Sequence, residues 1–164
     1  MPIQALLEAR KCLETVTPLL GDCGQVCGGA CCRSLPGEET GMLLFPGEEA
    51  LMATWPGAKV AESPLGKVFF CGGQCQRENR PLSCRVFPLL PVLRPGGVKV
   101  ATDLRARAVC PLARQGKDAL QADFVQAVRK AGEILAQDPL QRTFLEKLTA
   151  QQDDLRALHR QFGR

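Results

Sequence analysis

Cysteine is the residue type in this chain with the clearest capacity for chemistry. The sequence of 164 residues contains 9 cysteines but only one histidine, His159. Thiolates bind soft metals, so a set this poor in histidine predicts a metal site built from sulfur alone. His159 follows far behind the cysteines on a basic predicted helix, and we interpret it as a surface residue.

The first cysteine group has the pattern C-x3-C-x3-C-C, with glycines in both gaps. Glycine permits tight backbone turns that aim N–H groups at thiolate sulfur. The gaps are one residue longer than those of the commonest structural zinc loops, which slightly favours an iron–sulfur cluster. Zinc tetrathiolates are nevertheless common, and the choice between the two metals stays open.

The second group comprises Cys71, Cys75 and Cys84, and Cys110 follows alone before a proline. Cys12 falls inside a predicted helix and is interpreted as a packed thiol outside the site. Eight thiolates can fill two tetrahedral zinc sites, or ligate one iron–sulfur cluster with four left over. The candidate ligands are Cys23, Cys27, Cys31, Cys32, Cys71, Cys75, Cys84 and Cys110.

Two arginines, Arg80 and Arg85, flank Cys84. They are candidates to offset the charge of several neighbouring thiolates or to donate hydrogen bonds to sulfur. The alternative interpretation is an ion pair with Glu78 or another surface carboxylate. No catalytic residue can be assigned, because a single remote histidine cannot complete a Ser-His-Asp arrangement and no phosphate-binding loop is present.

The cysteine motifs resemble the YkgJ-type cysteine-cluster family. The resemblance covers about residues 21–112 and is most specific in Arg80-Pro81-x-x-Cys84-Arg85-x-Phe87-Pro88, which follows Cys75. The family opens with C-x2-C-x2-C-C, whereas this chain has one extra residue in each gap and a shorter interval from Cys71 to Cys75. The family is described as zinc- or iron-chelating, and its domain also occurs in proteins named flagellin lysine N-methylases. The resemblance therefore implies metal binding and assigns no catalytic residue.

The elements that would position these residues are short. Apolar spacing predicts a helix over residues 2–17, a short helix within 48–54 and a strand over 67–70. A hairpin is predicted between 86 and 102, turning at Arg94-Pro95-Gly96-Gly97, with its first strand limited to a sheet edge by Pro88 and Pro91.

Two helices are predicted to close the chain. The first is expected to begin at Asp118, with Asp118 as N-cap and Gln121 at the third helical position. The second is expected to begin at Asp138-Pro139 and to run to Phe162 before Gly163. Their predicted apolar stripes are Leu120, Phe124, Val125, Val128, Ala131 and Leu135, then Leu140, Phe144, Leu145, Leu148, Leu155, Leu158 and Phe162.

These elements predict a small, irregular α+β fold with metal-organised cysteine-rich loops, a short β-hairpin, an N-terminal helix and two antiparallel C-terminal helices. The expected division is a cysteine-cluster metal-binding domain at 1–112 and a helical hairpin packed on it at 113–164. No apolar run reaches about 18 residues and the first residues lack the pattern of a signal peptide, so we expect a cytoplasmic protein without a membrane span. Cytoplasmic thiols stay reduced, which favours metal binding over disulfides.

Three functions are compatible with this pattern. The first is an accessory or binding module in which metal organises the fold. The second is an iron–sulfur redox protein, or a metal-dependent enzyme component acting on a partner protein. The third, a dithiol redox protein using Cys71 and Cys75, is the weakest because most of the cysteines lie elsewhere. Nucleic acid is a disfavoured partner: residues 105–164 carry 11 Lys and Arg against 7 Asp and Glu, but aromatic residues are only 5% of the chain.

Overall fold

Helices lie at both ends of the chain, with two small antiparallel sheets between them in the sequence. The computed structural model describes residues 2–19, 41–53, 57–70, 77–108 and 110–162. The α-helices are α1 (Pro2–Cys12), α2 (Glu49–Met52), α3 (Leu82–Val86), α4 (Ala122–Gln137) and α5 (Pro139–Phe162). The strands are β1 (Met42–Leu43), β2 (Lys59–Ser63), β3 (Gly66–Phe70), β4 (Leu89–Arg94) and β5 (Gly97–Thr102). This architecture confirms the predicted α+β class.

Helix α1 is shorter than predicted. It ends at Cys12, where the N–H groups of Leu13 and Glu14 donate to carbonyls three residues earlier at 3.1 and 3.2 Å. The following residues Thr15-Val16-Thr17 are β-branched and precede Pro18, a combination that disfavours further helix. The helix buries Leu6 on the side that faces the core.

The first sheet has the strand order β1-β3-β2, and all its pairs are antiparallel. The prediction of a strand over 67–70 is confirmed by β3, and the predicted short helix within 48–54 by α2. The partner strands were not predicted. Strand β1 has only two residues, and β2 is mostly exposed, so neither carries a periodic apolar signal.

The second sheet is the predicted hairpin, in which β4 pairs with β5 from Leu89 opposite Thr102 to Arg94 opposite Gly97. Pro95 and Gly96 form the turn, and Gly97 has a positive φ of 112°, which glycine adopts without strain. Both strands are edges because the sheet has only two, so Pro91 is tolerated in β4.

Helix α4 does not begin where the sequence predicted. Asp118 lies in a 3-10 turn (Lys117–Ala119), and the helix starts at Ala122 with Gln121 as its N-cap residue. The Gln121 N–H donates to the Pro18 carbonyl at 2.9 Å, a tertiary hydrogen bond that holds this residue in extended backbone. Two further 3-10 turns, Leu104–Ala108 and Pro111–Arg114, connect β5 to this region.

Helix α5 begins as predicted, because Asp138 Oδ1 accepts the N–H groups of Leu140 and Gln141 at 3.0 Å each. Its predicted apolar stripe is buried at Phe144, Leu145 and Leu148. Leu140, Leu158 and Phe162, near the two ends of the helix, are 51, 50 and 75% exposed, so the predicted stripe is not buried at these positions.

One hydrophobic core includes residues from α1, the hairpin, α4 and α5. Helix α4 approaches the hairpin closely at Gly132, where a Cβ would lie 2.6 Å from Pro91 Cβ and 2.8 Å from Val98 Cγ1. A glycine inside a helix costs about 1 kcal/mol relative to alanine, and here it permits this approach. In the described part of the chain, no helix is both long and apolar enough to span a bilayer.

Candidate functional site

Six of the eight predicted ligands lie outside the described residues: Cys23, Cys27, Cys31, Cys32, Cys71 and Cys75. The predicted convergence of all eight therefore stays a prediction. Within the described ranges no group of three or more His, Cys, Asp and Glu side chains is arranged to hold a metal. The described residues do define how Cys84 and Cys110 are placed.

Cys84 is in the middle of helix α3 and is half-buried. Its N–H donates to the Pro81 carbonyl at 3.0 Å, closing the first turn of this five-residue helix. The neighbouring Ser83 hydroxyl donates to the Leu43 carbonyl of β1, which attaches the helix to the first sheet. The partly exposed position of Cys84 is compatible with its proposed role as a metal ligand.

Cys110 is only 7% exposed and belongs to the hydrophobic core. Its N–H donates to the Ala106 carbonyl at 2.8 Å, and its own carbonyl accepts the Ala113 N–H at 3.1 Å. These bonds fix the backbone on both sides of the cysteine. Cys110 is thus held at the junction of two 3-10 turns, and its thiol forms no disulfide.

Cys12 lies in helix α1, as predicted, and is its last residue because the helix is shorter than predicted. Its Sγ donates to the Glu8 carbonyl one turn earlier at 3.5 Å, and its side chain packs against the core. The structure places Cys12 in helical packing, as expected for a packed thiol.

Arg85 donates to three backbone carbonyls, in two segments beside the cysteine helix. Its guanidinium donates to the carbonyls of Arg80 at 3.1 Å, Arg10 at 3.2 Å and Glu78 at 2.6 Å. The hydrogen bond to Glu78 is made with its backbone oxygen, whereas the alternative interpretation had proposed its carboxylate. The planar five-donor fork of arginine suits this arrangement, which a single ammonium group cannot reproduce.

Arg80 contributes through its backbone, because its carbonyl accepts hydrogen bonds from both Arg85 and Arg10 Nη1, the latter at 2.9 Å. The segment from Arg80 to Arg85 is therefore clamped between two guanidinium groups. The prediction that Arg80 and Arg85 act on thiolate charge stays a prediction.

A buried carboxylate, Glu48, also binds this segment. Its side chain is fully buried, and Oε1 accepts the Leu82 N–H at 2.6 Å and Arg10 Nη1 at 2.7 Å. Oε2 accepts the Phe45 N–H at 3.1 Å. Glu48 thus connects α1, the loop before α2 and the first residue of α3.

The environment of Glu48 combines opposing electrostatic effects. Burial raises the pKa of Glu48 above its ordinary value, while the Leu82 N–H and the Arg10 charge act in the opposite direction. Arg10 is 11% exposed at its side chain, so both partners of this ion pair are shielded from water. Removing either partner would leave the other as an uncompensated buried charge.

The loop that carries Glu48 is also attached to helix α5. Gln141 Nε2 donates to the Pro46 carbonyl at 2.8 Å, and the rings of Phe45 and Phe144 meet edge to face with centroids 5.0 Å apart. Helices from both ends of the chain therefore fix the position of Glu48, and Glu48 in turn fixes the start of α3.

A cavity of about 520 Å3 borders helix α3 on its Ser83, Val86 and Phe87 side. Most of its wall is apolar, and the ion pair of Arg105 with Asp103, at 2.9 Å, lies at its edge. Cavities of this size and character are typical of small-molecule sites. The cavity therefore borders the cysteine helix on a side that does not include Cys84.

Glu48 and Arg10 were not predicted as functional residues, although one signal was available. Ile3 and Leu6 share one face of α1 and Leu13 follows in the next turn, and Arg10 occupies that same apolar face, four residues after Leu6. A charged residue in such a position requires a buried partner. The identity of that partner, 38 residues away in sequence, depends on the tertiary fold.

Comparisons of the chain with protein-family models, with curated proteins and with solved structures found no match. The resemblance to the cysteine-cluster family therefore depends on the motif residues alone.

Proposed function

We propose that this protein binds a metal centre, zinc or an iron–sulfur cluster, through cysteine thiolates and acts as an accessory or binding module. The observation that carries the proposal is the placement of eight cysteines in two groups and one following position, six of them in glycine-rich segments. A motif with this spacing resembles the YkgJ-type cysteine-cluster family, whose described property is metal chelation.

The described structure supports the proposal at Cys84. Short segments around a metal ligand need external support, since hydrogen bonds from neighbouring residues orient the ligands of a metal site. Arg10, Glu48 and Arg85 supply such support to the segment that precedes and contains Cys84. Glu48 is fully buried and the Arg10 side chain is 11% exposed. Burying charged groups costs free energy, so their use around this short turn is consistent with a ligand that must be positioned there.

The proposed ligands are Cys23, Cys27, Cys31, Cys32, Cys71, Cys75, Cys84 and Cys110, with Arg80 and Arg85 around them. Zinc bound there would stabilise the fold without redox chemistry, and an iron–sulfur cluster would add the capacity to transfer one electron. In either case the chain's own contribution is to hold Cys84 and Cys110 on fixed backbone.

The test is anaerobic purification followed by metal analysis, acid-labile sulfide determination and a visible spectrum. We expect about one to two equivalents of zinc per chain, or about two to four of iron with matching sulfide if one iron–sulfur cluster is bound. Broad absorption near 400 nm with bound sulfide would identify an iron–sulfur centre, and a colourless protein containing zinc would identify the tetrathiolate form. Protein that is folded, reduced and free of both metals after reconstitution with each would contradict the proposal.

A second candidate is an iron–sulfur redox protein or a metal-dependent enzyme component that acts on a partner protein. The cavity beside α3 favours it, because this space borders the same helix that carries Cys84. Reversible bleaching of the visible spectrum by dithionite, with recovery on reoxidation, would support this candidate over the accessory module.

A further inference from the structure

A groove beside the C-terminal half of α5 collects basic side chains from three separate elements. Its volume is about 570 Å3. The basic residues that line it are Arg107, Lys117, Arg156, His159 and Arg160, and we call it the basic groove. Its other lining residues are Val100, Ala101, Thr102 and Leu104.

Tertiary structure brings these side chains together. Arg156, His159 and Arg160 occupy positions i, i+3 and i+4 of α5, which lie on one helix face. Arg107 comes from the 3-10 turn after β5, and Lys117 comes from a separate 3-10 turn. Lys117 Nζ donates to the Val100 carbonyl at 3.4 Å, which directs this ammonium toward the strand at the base of the groove.

Among the described residues that line the basic groove there is no carboxylate. Within the described ranges, the four permanent cations Arg107, Lys117, Arg156 and Arg160 form no ion pair at 4.0 Å or less. Like charges that share a concave surface repel one another, and bound anionic oxygens relieve this repulsion.

The acid closest in sequence on the same side of α5 is already engaged. Asp153, three residues before Arg156, receives two hydrogen bonds of 2.8 Å from Arg94. Arg94 is the main reason that the pKa of Asp153 lies below its ordinary value, and Arg156 makes a smaller contribution from beyond ion-pair distance. Asp153 is therefore the ion-pair partner of Arg94 and neutralises little of the positive charge of the basic groove.

We propose that the basic groove binds a small molecule that carries a diphosphate group. A terminal diphosphate carries about −1.5 to −2 on its outer phosphate near neutral pH and about one further negative charge on the inner one, which four permanent positive charges match far better than they match one carboxylate. Three of the cations are guanidinium groups, whose paired donors fit phosphate oxygens. None of the groove's lining residues in the described part of the chain is aromatic, so a base has no stacking partner among them and a small ligand fits better than a nucleic-acid strand.

The experiment is isothermal titration of the full chain, as purified, with two probes, inorganic pyrophosphate and a nucleoside diphosphate, at fixed ionic strength, and with a single-stranded oligonucleotide for comparison. The test variant is Arg156→Gln/Arg160→Gln. The matched control is Arg129→Gln/Lys130→Gln, which removes the same two charges from an exposed face of α4 where Asp123 and Glu133 also lie. We expect saturable binding by the parent, at least a tenfold higher Kd for the test variant and less than a twofold change for the control.

A single substitution on a different element provides an independent check. Arg107→Gln should also raise the Kd for pyrophosphate several-fold. All three variants should retain the helical circular dichroism of the parent because the changed side chains are exposed or half-buried.

Binding of both probes with equal affinity would assign recognition to the diphosphate alone, and preference for the nucleotide would extend the site to the rest of that ligand. Equal losses in test and control variants, no saturable binding by the parent, or tighter binding of a single-stranded oligonucleotide than of either probe would overturn the proposal.

Discussion

Arg10 Nη1 lies 2.7 Å from Glu48 Oε1 and donates as well to the Arg80 carbonyl, 2.9 Å away, so one guanidinium group connects the N-terminal helix to the segment that carries Cys84. Glu48 completes this connection by accepting the Leu82 N–H at the start of α3. The two residues act as one unit, because each charge is buried and each needs the other.

Glu48→Gln should therefore destabilise the protein by about 3 kcal/mol, since it leaves the Arg10 charge buried without its partner. The measurement is urea unfolding of the metal-loaded chain. Glu49→Gln is the matched control: Glu49 is the next residue, and its ion pair with Lys67 is partly exposed, so its loss should cost less than about 1 kcal/mol. Equal effects of the two substitutions would show that the buried pair has no special role.

Arg85→Lys should weaken metal binding by about 10-fold to 100-fold, because one ammonium group cannot donate to the carbonyls of Arg80, Arg10 and Glu78 at once. Competition with a chromophoric chelator measures the change. Arg142→Lys is the control. Arg142 is exposed and forms an ion pair with Glu146, one turn further along α5, at 3.4 Å, so this exchange occurs on the protein surface. Unchanged affinity in Arg85→Lys would indicate that the Cys84 segment keeps its geometry without this clamp.

Cys84→Ser and Cys12→Ser should have different effects on metal content. Serine preserves the size of each side chain but is a poor ligand for soft metals. We expect Cys84→Ser to lose metal or sulfide relative to the parent, and Cys12→Ser to match the parent, since Cys12 is part of the packing of α1. Elemental analysis of both proteins, purified side by side, decides the assignment; a loss of metal in the Cys12 variant would place that thiol in the site.

Asp153 gives a pH-dependent prediction. The hydrogen bonds from Arg94 hold the pKa of Asp153 below its ordinary value of 3.8. A carboxylate with a lowered pKa stabilises the fold above the unfolded-state value, and this contribution is lost as pH falls through the folded-state value. Asp153→Asn should therefore be slightly less stable than the parent at pH 6, and the difference should shrink as pH falls below 3.8. Denaturant unfolding of both proteins across this range provides the measurement, and a difference that grows on acidification would contradict it.

Removal of the metal by a chelator should unfold the cysteine-rich segments before it unfolds the core formed by the helices and the β4–β5 hairpin. Helices α4 and α5 share an apolar core with α1 and the β4–β5 hairpin, and hydrophobic burial stabilises that core. Structural zinc contributes about 10–16 kcal/mol in small modules, so its removal should release the cysteine-rich segments first. We expect new protease cleavage before residue 81 while the hairpin stays protected and most helical circular dichroism remains. Complete loss of helical signal together with the metal would show that the shared core cannot stand without it.

The sequence by itself determined the elements whose signals are local. The turn at Pro95-Gly96, the Asp138 cap of α5 and the Phe124 face of α4 were predictable because turn chemistry, capping and helical periodicity act over a few residues. The cysteine spacing was likewise available from the sequence, and it remains the basis of the proposed metal centre.

Only the tertiary structure decided which distant residues meet. Helix α4 starts at Ala122 because Gln121 bonds to Pro18, and the polar side chains that position Cys84 come from Arg10 and Glu48, far away in the chain. The basic groove depends in the same way on the approach of Arg107 to α5. Such contacts are set by how the buried faces pack together, and a burial pattern along one segment does not specify its partner.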